Sequence, residues 1–236
     1  LSDCVPAVSR SSALDSFLDK WLDRWPEWSV AELFIPEPQR RLVMAWFTLL
    51  QEFEDVMNVA GDPLPADAKL AWWQQELIDW AAQRSRHPLG RLLEPVRAPW
   101  AVLADALPAV QVARRRPDSF EQALLPLQPL VEAVAAVEAV AFARIEGTDR
   151  RALALQWLDA RHRAIGAAAA PAGVSIAAWR AQLLAAWPVK PTLVRPHRIW
   201  SRLMRLRLHR QVLGQHGNPS PLQQLWHSWR AASGGD

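Results

Sequence analysis

A chain of 236 residues, half of them apolar, is long enough to bury a sizeable core and excludes disorder as a whole-chain reading. A formal charge of only +3 excludes a strongly basic, nucleic-acid-like balance. The single cysteine, Cys4, excludes an intrachain disulfide and any CxxC metal site, which fits a reducing cytoplasm.

Arg outnumbers Lys 24 to 3, and 14 Trp stand beside no Tyr, the mark of a GC-rich, bacterial coding bias. The same tryptophans also suit a membrane interface, where an indole sits half wet. The opening LSDCVPAVSRSS lacks a charged start followed by an apolar run, so it does not read as a signal peptide. Prolines punctuate the rest, helix formers fill the gaps, and no strand alternation or repeat is visible. The predicted helices are 10–24, 38–59, 66–84, 88–94, 98–114, 118–145, 149–168, 175–186, 197–213 and 219–231. Pro38 sits where a first-turn proline is tolerated. Asp118 or Ser119 caps the sixth helix, and Gly61, Gly147, Gly166 and Gly214 lie near helix ends. The loop at 167–175 is the best candidate for an internal boundary, yet one all-α domain over 1–236 is the economical architecture. No segment approaches ~18 uninterrupted apolar residues, so a spanning helix is not expected; the longest candidate carries Glu132 and Glu138.

The helix from Arg40 to Ala60 is the most informative. At ~100° per residue, Leu49, Leu50, Phe53, Val56, Met57 and Ala60 gather on one side. Gln51, Glu54, Asp55 and Asn58 gather on the other, continued backward by Arg40, Met44, Phe47 and Thr48. The run LVMAWF is apolar all round, so the helix is central, and its polar stripe either lines a cavity or is solvated. Glu52, Glu54 and Asp55 lie near the carboxyl end, where the helix dipole disfavours negative charge. A divalent cation is one constraint that would hold them there; Mg²⁺ takes one or two carboxylates plus phosphate oxygens and water.

The run LFIPEPQRRLVMAWFTLLQEFEDVMN resembles the first half of the squalene/phytoene synthase family, and KLAWWQQELIDWAAQRSRHPLGRLL continues the resemblance, which covers roughly residues 31–145. The resemblance implies an all-α prenyl-synthase-like fold that joins prenyl diphosphates with Mg²⁺. It implies Glu54, Asp55 and Asn58 as metal ligands, and Arg40, Arg41 and Gln51 as substrate-binding positions. Arg41 matches the family's upstream Arg, and Phe47 falls where the family often has Tyr. The departures reduce charge: Gln51 stands for Arg, Glu54 for the first Asp and Asn58 for the last Asp, while Asp55 is retained. The family's second acidic motif has its nearest counterpart in LALQWLDARHRAIG, with Gln156, Asp159 and Arg161 but no spaced pair of acids. There, Asp159 with His162 or Arg163 reads as an intrahelical pair. Glu138 and Asp149 share a face only if one helix continues through Gly147.

Near the C-terminus, RPHRIWSRLMRLRLHRQVLGQHG interleaves Arg195, Arg198, Arg202, Arg205, Arg207 and Arg210 with apolar residues. A basic amphipathic helix over 197–213 either packs with a solvated arginine face or meets an anionic membrane or acidic partner. Nucleic acid is not expected, since no reading motif is present. All six histidines read as surface or capping residues, and no phosphate loop or GxSxG elbow occurs.

Two functions follow from the resemblance. One is a degenerate synthase-like protein, catalytically impaired, that serves as an isoprenoid- or lipid-binding, accessory or regulatory factor, as some relatives do in assembling respiratory complex I. The other is an active Mg²⁺-dependent prenyltransferase acting on prenyl diphosphates. Either would sit in the cytoplasm, with peripheral contact at the inner membrane as a further expectation.

Overall fold

The computed structural model describes residues 12–142, 147–215 and 217–234. Among these residues every regular element is a helix, as the proline-punctuated sequence predicts. The order is α1 (Ala13–Arg24), α2 (Trp28–Ala31), α3 (Glu37–Met57), α4 (Leu64–Ala81), α5 (Gly90–Leu93), α6 (Trp100–Ala106) and α7 (Pro108–Val112). It continues with α8 (Phe120–Leu124), α9 (Gln128–Ala141), α10 (Arg150–Ile165), α11 (Ile176–Ala186), α12 (Arg195–Val212) and α13 (Pro221–Ala232).

The local starts are chemically specified. Ser12 and Asp15 form a reciprocal capping box on α1, and Ser220 with Gln223 does the same for α13. Ser119 accepts from the Gln122 amide at 3.2 Å to start α8. Asp149 accepts from the Ala152 amide at 2.9 Å to start α10. Prolines set the interruptions. The predicted helix over 98–114 is divided at Leu107 because Pro108 has no N–H to continue the ladder. The predicted helix over 118–145 is likewise split by a 3₁₀ turn, Leu125–Leu127, that contains Pro126. Its last residues, 143–145, lie outside the described residues. With Asp149 capping a new helix, Glu138 and Asp149 do not share a face. The sequence reading missed α2 and the 3₁₀ turn Glu32–Phe34 that follows it, elements too short for a periodic signal.

The helix α3 is central, as its all-apolar middle predicts. It packs against α1, α4, α5, α7 and α10. A second centre is α10, in contact with α3, α8, α9, α11 and α12. One contiguous core runs from Leu14 to Ala231 and so passes both sides of the loop at 167–175. Tryptophan fills much of it. Trp21, Trp25, Trp28, Trp46, Trp73, Trp80, Trp100, Trp179, Trp187 and Trp200 are all fully buried. The stretch from Phe120 to Ala141 is apolar and long enough to cross a membrane by length and composition, but half of it is packed inside the protein.

The segment WWQQELIDWAAQRSRHPLG performs a structural task. Glu76 is fully buried on α4, and its carboxylate accepts the Trp80 indole N–H at 2.8 Å. It also accepts the backbone amides of Arg86 and His87, each at 2.7 Å. Burial alone would raise its pKa, but these donors overcome it and hold the carboxyl below its ordinary value. The loop so fastened brings Gly90 against Trp80 and Ser85, where a Cβ would lie 2.5 Å from the Ser85 Cβ.

Candidate functional site

The polar stripe of α3 is partly buried, with Gln51 and Glu54 inside and Asp55 and Asn58 half-buried. It is covered by α1. Arg24 Nη1 lies 2.6 Å from Asp55 Oδ1, and Lys69 Nζ from α4 lies 2.5 Å from Glu52 Oε2. Gln51 accepts the Trp25 indole N–H at 3.3 Å and donates from Nε2 to Glu54 and Asp55, both at 3.1 Å. The space beside Gln51, Glu52, Asp55 and Thr48, walled on the far side by Phe17 and Trp21, is about 10 Å³. That is room for about one water molecule and nothing larger. Behind it, the Phe47 ring is stacked 5.8 Å from Trp21 and lies 4.1 Å from Trp200.

Glu54 is the buried acid, 4 % exposed. Burial pushes its carboxyl up to about 7; Arg163 opposes this, while Asp55 and Asp159 add to it. The last of these contributions places Asp159 of α10 within electrostatic reach of Glu54. The expected pairing of Asp159 with Arg163 is present at 2.9 Å. Asp159, on a helix that packs against α3, therefore adds its charge to the surroundings of Glu54. Asp159 Oδ1 and Asn58 Oδ1 are buried without a hydrogen-bond partner among the described residues.

The remaining expected positions are committed elsewhere. Arg40 Nε donates to the Ile35 carbonyl at 3.2 Å, and Arg41 pairs with Asp15 of α1 at 2.8 Å. Neither contact belongs to the Gln51, Glu54 and Asp55 group. The carboxyl end of α3 also has its own cations. Arg114 Nε donates to the Val56 carbonyl at 3.2 Å, and Arg161 Nη1 donates to the Met57 carbonyl at 3.3 Å. Acids placed against the helix dipole are thus offset by arginines and a lysine of the protein itself.

This donor set does not fit Mg²⁺. The ion takes ionised carboxylates in octahedral geometry with several waters retained. Here Asp55 is occupied by Arg24, Glu52 by Lys69, and the adjoining space of about 10 Å³ has no volume for a hydration shell.

A second buried polar group lies at the centre of the bundle. His197 of α12 donates from Nδ1 to Glu138 of α9, and its Nε2 is 2.5 Å from Gln156 Oε1 of α10. Trp46 of α3 donates to the same Glu138 oxygen at 2.8 Å. All four residues are buried. His197 is therefore not a surface residue, and neither is His162, which accepts from Arg180 Nε at 2.8 Å. The sequence reading lacked the one signal that would have placed them: where each helix turns its face. A third feature is Trp25, whose rings are approached by two guanidiniums. Arg207 is 4.0 Å from one of its ring centres and Arg163 is 5.2 Å away. Arg207 is in turn paired with the buried Glu27, with its Nε donating at 2.6 Å.

Comparison with protein-family models, with curated proteins and with solved structures finds no match to this chain.

Proposed function

We propose that this chain is a divergent squalene/phytoene synthase-like protein that is catalytically impaired and acts as an isoprenoid- or lipid-related accessory factor. The supporting observation is the occupation of the α3 acidic face by the protein's own cations. Asp55 is held by Arg24 and Glu52 by Lys69, while α1 leaves about 10 Å³ beside them. A prenyl diphosphate needs a cavity for its chain and cations for its phosphates. In this arrangement tryptophan and Phe47 fill the first, and the second is replaced by carboxylates that are already paired.

The alternative is an active Mg²⁺-dependent prenyltransferase. It is favoured by the charge that Asp159 of α10 adds at Glu54, with one Asp159 carboxylate oxygen buried and unpartnered among the described residues. That reading requires α1 to leave α3 and Arg24 to release Asp55. The test is incubation of the purified chain with Mg²⁺ and farnesyl or geranylgeranyl diphosphate, followed by assay of released pyrophosphate. No release is expected. Release that Asp55→Ala abolishes overturns the proposal.

A further inference from the structure

The amphipathic α12 turns inward: Ile199, Trp200, Leu203, Met204 and Leu208 are buried. The helix with its faces reversed is α13. Its buried residues are Gln224, Ser228 and Ala231. Its outward residues are Leu222, Leu225, Trp226 and Trp229, exposed by 78, 42, 54 and 49 %. Spacing of three, four and seven residues puts these four in one stripe along the helix. A water-facing helix ordinarily shows the opposite pattern, and a contiguous stripe of large exposed apolar residues marks an interaction surface.

The surroundings of that stripe are cationic. Two clefts open where α12 and α13 meet. One, of about 270 Å³, is lined by Lys190, Arg198, Arg202 and Arg230. The other, of about 440 Å³, is lined by Arg202, Arg205, His209, Arg210 and His227. No carboxylate of the described residues lines either cleft. Arg198 donates to the backbone carbonyls of Ala231, Leu193 and Ala232, and Arg205 to that of Trp187, so these hydrogen bonds leave their charge unneutralised. Burial and the nearby Arg202, Arg230, Arg205 and His209 push the His227 ring down to about 4. The Arg230 guanidinium lies 5.9 Å over the Trp226 ring and so joins the basic seam to the apolar stripe. The asymmetry extends through the sequence. Residues 160–235 contain ten Arg, one Lys and no Asp or Glu, a formal +11, while the rest of the chain holds 16 basic and 24 acidic side chains, a formal −8.

We propose that the Leu222–Trp229 stripe of α13, with the arginine-lined α12–α13 seam beside it, docks on an anionic lipid bilayer. The indoles and leucines enter the boundary between headgroups and acyl chains, and the arginines take the lipid phosphates. The charge complementarity selects this occupant over a second copy of the chain. A two-fold dimer through α13 would bring together two copies of clefts that no carboxylate lines among the described residues. The inference does not depend on whether the α3 acids are active.

The test is flotation of the full chain with vesicles of phosphatidylcholine alone and of phosphatidylcholine mixed with phosphatidylglycerol, at low and high salt. Binding is expected on the anionic vesicles, weakened about tenfold or more on neutral ones and by salt. Trp226→Gln with Trp229→Gln should reduce it about tenfold or more with an unchanged circular-dichroism melt, as these side chains are exposed. Leu222→Gln with Leu225→Gln provides a second variant on the same stripe. Absence of binding to anionic vesicles at low salt overturns the inference. So does binding that both paired variants leave intact. A concentration-dependent dimer that the tryptophan variant dissociates, without vesicle binding, assigns the stripe to a second copy and overturns it as well.

Discussion

Arg24 holds Asp55 at 2.6 Å, and through that contact the last turn of α1 closes over the acidic end of α3. Both side chains are partly exposed, at 44 % and 33 %. Such pairs contribute ~0.2–1 kcal/mol. A double-mutant cycle of Arg24→Ala and Asp55→Ala, followed by urea unfolding, should give a coupling energy in that range. A coupling indistinguishable from zero would show that the contact does not hold α1 in place.

Glu54 should make stability depend on pH. Its folded value of about 7 lies above the ordinary carboxyl value of 4.5, so between these values the folded state keeps a proton that the unfolded state has lost. The stabilisation is fully present below the unfolded value and is lost as pH rises through the folded one. The slope can reach about 1.4 kcal/mol per pH unit and the total about 3 kcal/mol. Glu54→Gln, which keeps a neutral group of the same shape, should flatten this profile and exceed the wild type in stability at pH 8. Urea midpoints from pH 4 to pH 8 provide the check, and identical profiles for the two proteins would remove Glu54 as the cause.

Glu138 accepts from both Trp46 and His197 in the bundle centre. Glu138→Ala would leave an indole N–H and an imidazole buried without their acceptor, at a cost of about 3–5 kcal/mol. Glu138→Gln preserves an acceptor oxygen for Trp46 and should cost less. Thermal melts of the two variants should separate clearly in that order.

Gly90 has no room for a methyl group. A Cβ there would lie 2.5 Å from the Ser85 Cβ and 3.1 Å from the Trp80 indole nitrogen. Gly90→Ala is therefore expected to cost about 1–3 kcal/mol through overpacking. Combining it with Ser85→Gly, which removes the nearest clash, should recover part of the loss in the unfolding midpoint.

Much of the helical layout was legible because local signals specify it. Ser119, one of the two caps read for the helix at 118, does start α8, and Ser12, Ser175 and Ser220 act in the same local way at α1, α11 and α13. Pro108 and Pro126 were equally visible, but their force was underestimated: a long apolar run reads as one helix until a missing N–H divides it. The polar stripe of α3 was correctly grouped as Gln51, Glu54, Asp55 and Asn58, yet its surroundings were not legible. Periodicity says which residues share a face. It does not say which helix covers that face, and Arg24 and Lys69 come from α1 and α4.

The sequence by itself determined an all-helical chain, a central α3 and the membership of its acidic face, because capping, proline chemistry and a 3.6-residue period act over a few residues. Only the tertiary structure decided that Arg24 closes over this face, that Glu54 is buried within it, and that α13 rather than α12 turns its apolar residues outward. Each of those outcomes depends on contacts between helices distant in sequence, where burial and charge are set by what packs alongside.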